Sequence, residues 1–207
     1  MGTEEYKGYT VKIEQEDGNL FGSRDWDNLG TMICFHNGYQ LGDKHELRSA
    51  DFNSWDEVEA HIIKEHDPAV ILPLYLYDHS GLRMKVGSFT GLLPQGHAEF
   101  DSGMVGFIFV SKEKAREEYS WKRINKARKK KLSEYLTNEV SIYDQDLSGD
   151  VWYYVITKED DPDVHESVGG LYGHEYAEEE ARAIVDGMID YDEKHNGVQQ
   201  KLELSGC

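Results

Sequence analysis

Residues 70–81, VILPLYLYDHSG, decide how this chain folds. Val70, Ile71, Leu72, Leu74 and Leu76 are bulky or strand-favouring, and Tyr75 and Tyr77 interleave with them. The run is too short to span a bilayer, and Asp67-Pro68 breaks the chain just before it. It reads as a central strand, buried on both faces at first and on one face later. Pro73 cannot donate to a ladder, so a bulge is expected there. Asp78-His79-Ser80-Gly81 then turns the chain into a return strand at 82–86.

Working outward, residues 9–13 and 31–35 (TMICF) read as earlier strands, with loops after each. Ser54 followed by Glu57 is a capping box, and Trp55, Val58, Ile62 and Ile63 give helical spacing up to His66. Downstream, MVGFIFV at 104–110 is a buried strand, and Ser111 caps a helix over 112–121. A longer helix is expected over 124–143, where Leu132, Leu136, Val140 and Tyr143 share one face, with a stop at Gly149. Strands follow at 151–157 and 164–171. An acidic helix closes the chain over 175–194, with Ala177, Ala181, Ile184, Val185, Met188 and Ile189 on one face. Adjacent hairpins without strict βαβ alternation predict an α+β fold, a mostly antiparallel sheet packed by three to four helices.

Charge separates the function classes. The chain has 40 Asp/Glu against 22 Lys/Arg, a formal net charge of −18. That balance opposes general surface binding to DNA, RNA or anionic membranes. It is uneven: residues 111–131 carry ten Lys/Arg and three Glu, a net of +7, which leaves −25 elsewhere. With 39% hydrophobic and 12% aromatic residues, 207 residues can bury a core. One domain over 1–207 is expected, frayed from about residue 197. Cys34 and Cys207 make neither a disulfide framework nor a zinc set and fit a reducing compartment. No apolar segment follows Met1, so no signal peptide is expected, and none is long enough for a bilayer.

Three blocks carry a resemblance: Arg24-Asp25-Trp26-Asp27-Asn28-Leu29-Gly30-Thr31-Met32, the 71–81 stretch, and DSGMVGFIFVSKEK at 101–114, with Tyr143-Asp144-Gln145 beyond them. Together the blocks resemble small acidic proteins of unknown function carried by phages and conjugative elements. The likeness runs from about Trp26 to Tyr154. It implies a mobile-element setting in a bacterial cytoplasm and supplies no active site. The loop before Asp101 departs from the pattern, reading LLPQGHAEF where a shorter Trp/Cys/Pro-containing segment is expected.

Several motifs admit chemistry. Asp78, His79, Ser80, Asp101 and Ser102 put acids, a base and hydroxyls at strand ends. A hydrolase or nucleotide-handling enzyme could use His79 as base, Ser80 or Ser102 as nucleophile and Asp101 as orienter. Against this, adjacent strand residues face opposite ways, no G-x-S-x-G elbow is present, and turn chemistry explains the same residues. His97-x-Glu99 lacks the P-C-x-x-C half of a deaminase signature, and Glu178 stands where His174-Glu175 would need a second zincin histidine. His36, His79, His97 and Asp101 would have to gather in space to hold a metal. Asp144, Asp146, Ser148, Gly149 and Asp150 imitate half a calcium loop, but Val155 replaces its bidentate glutamate, and a helix stop is the simpler reading. Gly169-Gly170 is only a pair. No metal and no cofactor are expected.

Two charged elements remain. Lys122, Arg123, Lys126, Arg128, Lys129, Lys130 and Lys131 place seven cations in ten residues. Such a basic helix could lie along phosphate, the one route to direct nucleic-acid binding. Charge complementarity within the chain, or between copies in a homodimer, is preferred given the acidity elsewhere. Glu159, Asp160, Asp161 and Asp163, with Glu175, Glu178, Glu179 and Glu180, form an acidic surface that could imitate the phosphates of DNA. The preferred reading is a phage or mobile-element accessory protein that binds and inhibits a host nucleic-acid-handling defence complex. That is an anti-CRISPR or anti-restriction role, by binding rather than catalysis and with no membrane partner. The alternatives are the hydrolase and a nucleic-acid-binding accessory protein.

Overall fold

Residues 70–78 of that stretch lie in an eleven-residue strand, Pro68–Asp78, in the interior of an antiparallel sheet, and residues 79–81 follow it as the turn. The computed structural model describes residues 2–17, 22–92 and 100–204, the last nine by backbone alone. In chain order the elements are β1 (Gly2–Tyr6), β2 (Tyr9–Gln15), β3 (Thr31–Cys34), α1 (Trp55–His66), β4 (Pro68–Asp78), β5 (Leu82–Val86), β6 (Ser102–Ser111), α2 (Lys112–Tyr119), α3 (Lys126–Ser148), β7 (Val151–Lys158), β8 (Asp161–Tyr172) and α4 (His174–Leu204). Among the described residues this is an α+β fold with two four-stranded antiparallel sheets. The chain divides into a terminal unit, residues 1–20 and 149–207, and a central unit, residues 21–148.

The central unit carries the sheet β3-β6-β4-β5. Leu74 and Leu76 of β4 join Ile108 and Val110 of β6 and Leu132, Leu136, Val140 and Tyr143 of α3 in one buried cluster. Phe107 and Phe109 alternate to the other face and pack with Val58 and Ile62 of α1. The expected one-sided burial holds over residues 74–77, but Val70, Ile71 and Leu72 are half-buried rather than buried on both faces. The bulge falls between Leu74 and Tyr75, one step beyond Pro73. Pro73 accepts from the Gly87 N–H at 3.0 Å, so its nitrogen faces the same side, where β5 has already ended at Val86. The hydrogen it lacks is thus one the sheet barely needs. Gly106 has a different reason: a Cβ there would lie 2.0 Å from the Ile33 carbonyl oxygen.

Helix starts follow the sequence. Ser54 Oγ accepts from the Glu57 N–H at 3.3 Å, and Ser111 Oγ from the Lys114 N–H at 3.0 Å. Asp67, at φ 40°, ends α1 in a left-handed cap. Expected bounds shift for α3, which begins at Lys126 and runs to Ser148, and for α4, which runs from His174 to Leu204 rather than ending near Lys194.

The terminal unit carries the sheet β1-β2-β7-β8. β1 is absent from the sequence reading. It forms because Lys7 and Gly8, both at positive φ, close a two-residue hairpin onto β2. Tyr9, Val11, Ile13, Tyr154, Ile156 and Leu171 make one buried face, covered by Ala177, Ala181 and Val185 of α4. Those three recur every four residues, and two are alanines, so the helix can lie close to the sheet. Arg182 pairs with Glu4 at 2.9 Å and Lys7 with Asp186 at 2.8 Å, tying the first hairpin to α4.

Candidate functional site

The acidic residues singled out by sequence all fall in the terminal unit. That unit holds 20 acidic and six basic side chains, a formal −14 of the chain's −18. Glu159 and Asp160 form the turn into β8, and Asp161 and Asp163 begin it. β8 is an edge strand, exposed over most of its length because no further strand pairs with it among the described residues. On α4, Glu175 and Glu179 are exposed, whereas Glu178 and Glu180 are half-buried. Glu178 is engaged with Arg182 at 2.5 Å. The Arg182 hydrogen bond also holds the Glu4 carboxyl below the usual carboxylate range. The Glu180 charge pushes the Tyr176 hydroxyl up. A groove of about 560 Å³ runs between β8 and α4, lined by Asp161, Asp163, Glu166 and Asp192 with Val164, Ile184, Met188 and Tyr191.

The basic stretch lies in the central unit and is not one helix. Lys122 and Arg123 precede α3, and Lys126, Arg128, Lys129, Lys130 and Lys131 fill its first two turns. Asn125 supplies the cap, its Oδ1 accepting from the Arg128 N–H at 3.0 Å. The first turn carries no acidic residue, so its cations oppose the positive end of the helix dipole. Part of the charge is used locally. Arg128 sits 4.8 Å over the Trp121 ring and Lys131 4.6 Å over Tyr119, and the two rings stack. Those faces are therefore occupied by cations.

The strand-end residues partly converge. Asp78, Asp101 and Ser102 line an open cleft of about 740 Å³, with Phe35, Phe52 and Trp55 among its other lining residues. His79 and Ser80 are not part of that lining. His79 Nδ1 stands 3.3 Å from Asp101 Oδ2 with about half of its side chain exposed. The two groups are within ion-pair distance.

Among the described residues, no group of three or more His, Cys, Asp or Glu could hold a metal. His97, Glu99 and Cys207 lie outside the described residues. Asp144 and Asp146 belong to α3 rather than to a calcium loop. Asp144 receives the Arg83 guanidinium and the Met84 N–H, and Asp146 receives Ser23 N–H and Oγ. Gly149 stops the helix at φ 70°. Cys34 is buried, which pushes its thiol up to about 12. No described helix is long and apolar enough to cross a membrane.

Sequence reasoning missed the most heavily bonded polar cluster. Arg24 donates to both Asp43 carboxylate oxygens, at 2.8 and 2.9 Å, to the Gly30 carbonyl at 2.8 Å and to Glu139 at 3.2 Å. Glu139 in turn accepts the Leu29 and Gly30 N–H groups, and Asp43 accepts the Met32 N–H. A Cβ on Gly30 would meet the Leu136 side chain at 2.6 Å, so a larger residue there must displace its neighbours. The RDWDNLGTM block was visible as a unit, but its partners stand 19 and 115 residues from Arg24. Comparison with known families, curated proteins and solved structures finds no match to this chain.

Proposed function

We propose that this protein acts by binding, presenting the terminal unit's acidic surface to the cationic groove of a nucleic-acid-handling complex and thereby blocking it. The observation that carries the reading is the concentration of −14 in 79 residues of the chain. Carboxylates on the exposed β8 edge and on α4 give a cationic groove the attraction that DNA phosphate gives it. The groove between β8 and α4 adds apolar area at Ile184, Met188 and Tyr191, which supplies affinity that charge alone does not. The resemblance to mobile-element proteins supports a host defence complex, of the restriction or CRISPR effector type, as the partner.

The test is a cleavage assay with purified restriction and CRISPR effector complexes. The protein is expected to inhibit at least one of them, with inhibition weakening steeply as salt rises from 50 to 200 mM. An Asp161→Lys, Asp163→Lys, Glu166→Lys variant is expected to lose it. Failure to inhibit any complex, or full inhibition by the reversed variant, would reject the proposal.

A further inference from the structure

We infer that the cleft of the central unit binds a small organic cation with an apolar body, an amine or guanidinium carried on an aromatic or alkyl group. The inference is independent of the acidic surface, which belongs to the other unit. At about 740 Å³ the cleft has the size of a small-molecule site.

Among the described residues, four aromatic side chains line it, Phe35, Phe52, Trp55 and the exposed Phe100, each from a different segment. The Phe35 ring lies 6.1 Å from both Phe52 and Trp55, and Trp55 stands edge-on to buried Phe107 at 6.2 Å. Phe35, Phe52 and Trp55 are half-buried: the core holds them while part of each stays open. The acidic residues come from strand pairing. Tyr77 is in register with Ser102, and the Asp78 N–H donates to the Asp101 carbonyl at 2.9 Å, which brings both aspartates into the lining.

Charge selects the ligand. No Lys or Arg is in the lining among the described residues. The N-terminus of α1, the other source of positive potential, is already satisfied. Ser54 accepts the Glu57 N–H, the Glu57 carboxylate takes the Asn53 N–H at 2.8 Å, and Asp56 and Glu57 occupy the first turn. The lining's other side-chain donors include His36, Asn37, Asn53 and serine hydroxyls, so an anion finds no fixed counter-charge among the described residues. A cation finds two carboxylates and the faces of electron-rich rings, the combination that recognises ammonium and guanidinium groups. Asp101 also stands 3.3 Å from His79 Nδ1, so a ligand cation would share that carboxylate with His79 while Asp78 provides the second.

The experiment is calorimetric titration of the full chain with three probes that share one body: phenethylamine, 2-phenylethanol and 3-phenylpropionate. The amine is expected to bind at least about tenfold more tightly than the neutral alcohol, and the carboxylate not at all. An Asp78→Asn, Asp101→Asn variant with an unchanged circular dichroism spectrum is expected to lose most of the preference for amine over alcohol, the rings keeping the remainder. Trp55→Leu is expected to weaken both. Alcohol binding as tight as amine binding, no amine binding, or a preference undiminished in the double variant would each overturn the inference. The comparison of probes on the unaltered protein decides the matter even if a variant fails to fold.

Discussion

Arg24 and Glu139 stand 115 residues apart in sequence and 3.2 Å apart in space, each with less than a tenth of its side chain exposed. Removing one partner of such a pair leaves a buried charge without its counter-ion, held, among the described residues, only by backbone N–H groups. Arg24→Met strands both Asp43 and Glu139 and is expected to destabilise the central unit by about 3–5 kcal/mol. Urea unfolding followed by tryptophan fluorescence measures this. Arg24→Lys should recover little, because a lysine cannot reproduce the fork that meets both Asp43 oxygens.

Three glycines of the central unit should respond in a fixed order to replacement by alanine. At Gly106 the new Cβ meets a backbone oxygen at 2.0 Å, and the β3–β6 pairing has to give way. At Gly30 it meets movable side-chain atoms at 2.6–2.7 Å, for an expected cost of about 1–3 kcal/mol. At Gly103 nothing lies within 4 Å, and the change should stay within about 0.5 kcal/mol. Melting temperatures of the three variants give the ranking.

Alkaline pH should weaken the central unit. Burial pushes the Cys34 thiol to about 12, and burial also raises the Tyr143 hydroxyl, partly offset by the Gly42 N–H that it accepts. Both groups keep their protons in the folded state after the unfolded chain has lost them. Their contribution is whole below the unfolded thiol value of 9.0 and declines as pH rises toward 12. The slope is about 1.4 kcal/mol per pH unit for each titrating group. Urea midpoints at pH 8, 9.5 and 11 should fall steadily, and Cys34→Ala should flatten the decline. In a Cys207→Ser background, iodoacetamide should label Cys34 only after unfolding.

The cations at the start of α3 should be removable at a gain. Lys126→Glu and Lys129→Glu replace charges that oppose the helix dipole, so each is expected to raise stability by about 0.3–1 kcal/mol. The same variants should leave defence-complex inhibition unchanged, since they lie outside the terminal unit. A short duplex should be retarded weakly at low salt by the unaltered protein, and less by the variants. Loss of inhibition on reversing these lysines would transfer the function to the basic stretch.

Local signals wrote most of this fold. Ser54 and Ser111 announce their helices, the β-branched and aromatic runs at 70–77 and 104–110 announce their strands, and Gly149 ends α3 as read. What stayed hidden depends on partners far along the chain. Glu4 and Glu5 carry no local strand signal; their place in a hairpin shows only once Arg182 and Thr10 donate to them. Pro73 seemed to demand its own bulge because nothing local says where β5 ends. The candidate site divides the same way. The acidic turn and helix were legible as composition, and Asp78 and Asp101 as strand-end polar residues. Phe35 and Trp55 read only as strand and helix residues and Phe52 as the end of a loop, because their meeting beside those aspartates is made by β3, α1 and the connection between them.

The lopsided division of charge sets how each half of the chain feels its solvent. Crowded carboxylates repel across roughly 8 Å at physiological ionic strength and farther as the buffer is diluted. The terminal unit, at −14, behaves as a compressed spring that dissolved ions keep shut, while the central unit, with 16 cations against 20 anions, is nearly a spectator. Warmed in dilute buffer, the molecule should loosen from its two ends inward. A pinch of salt restores the ends without touching the middle.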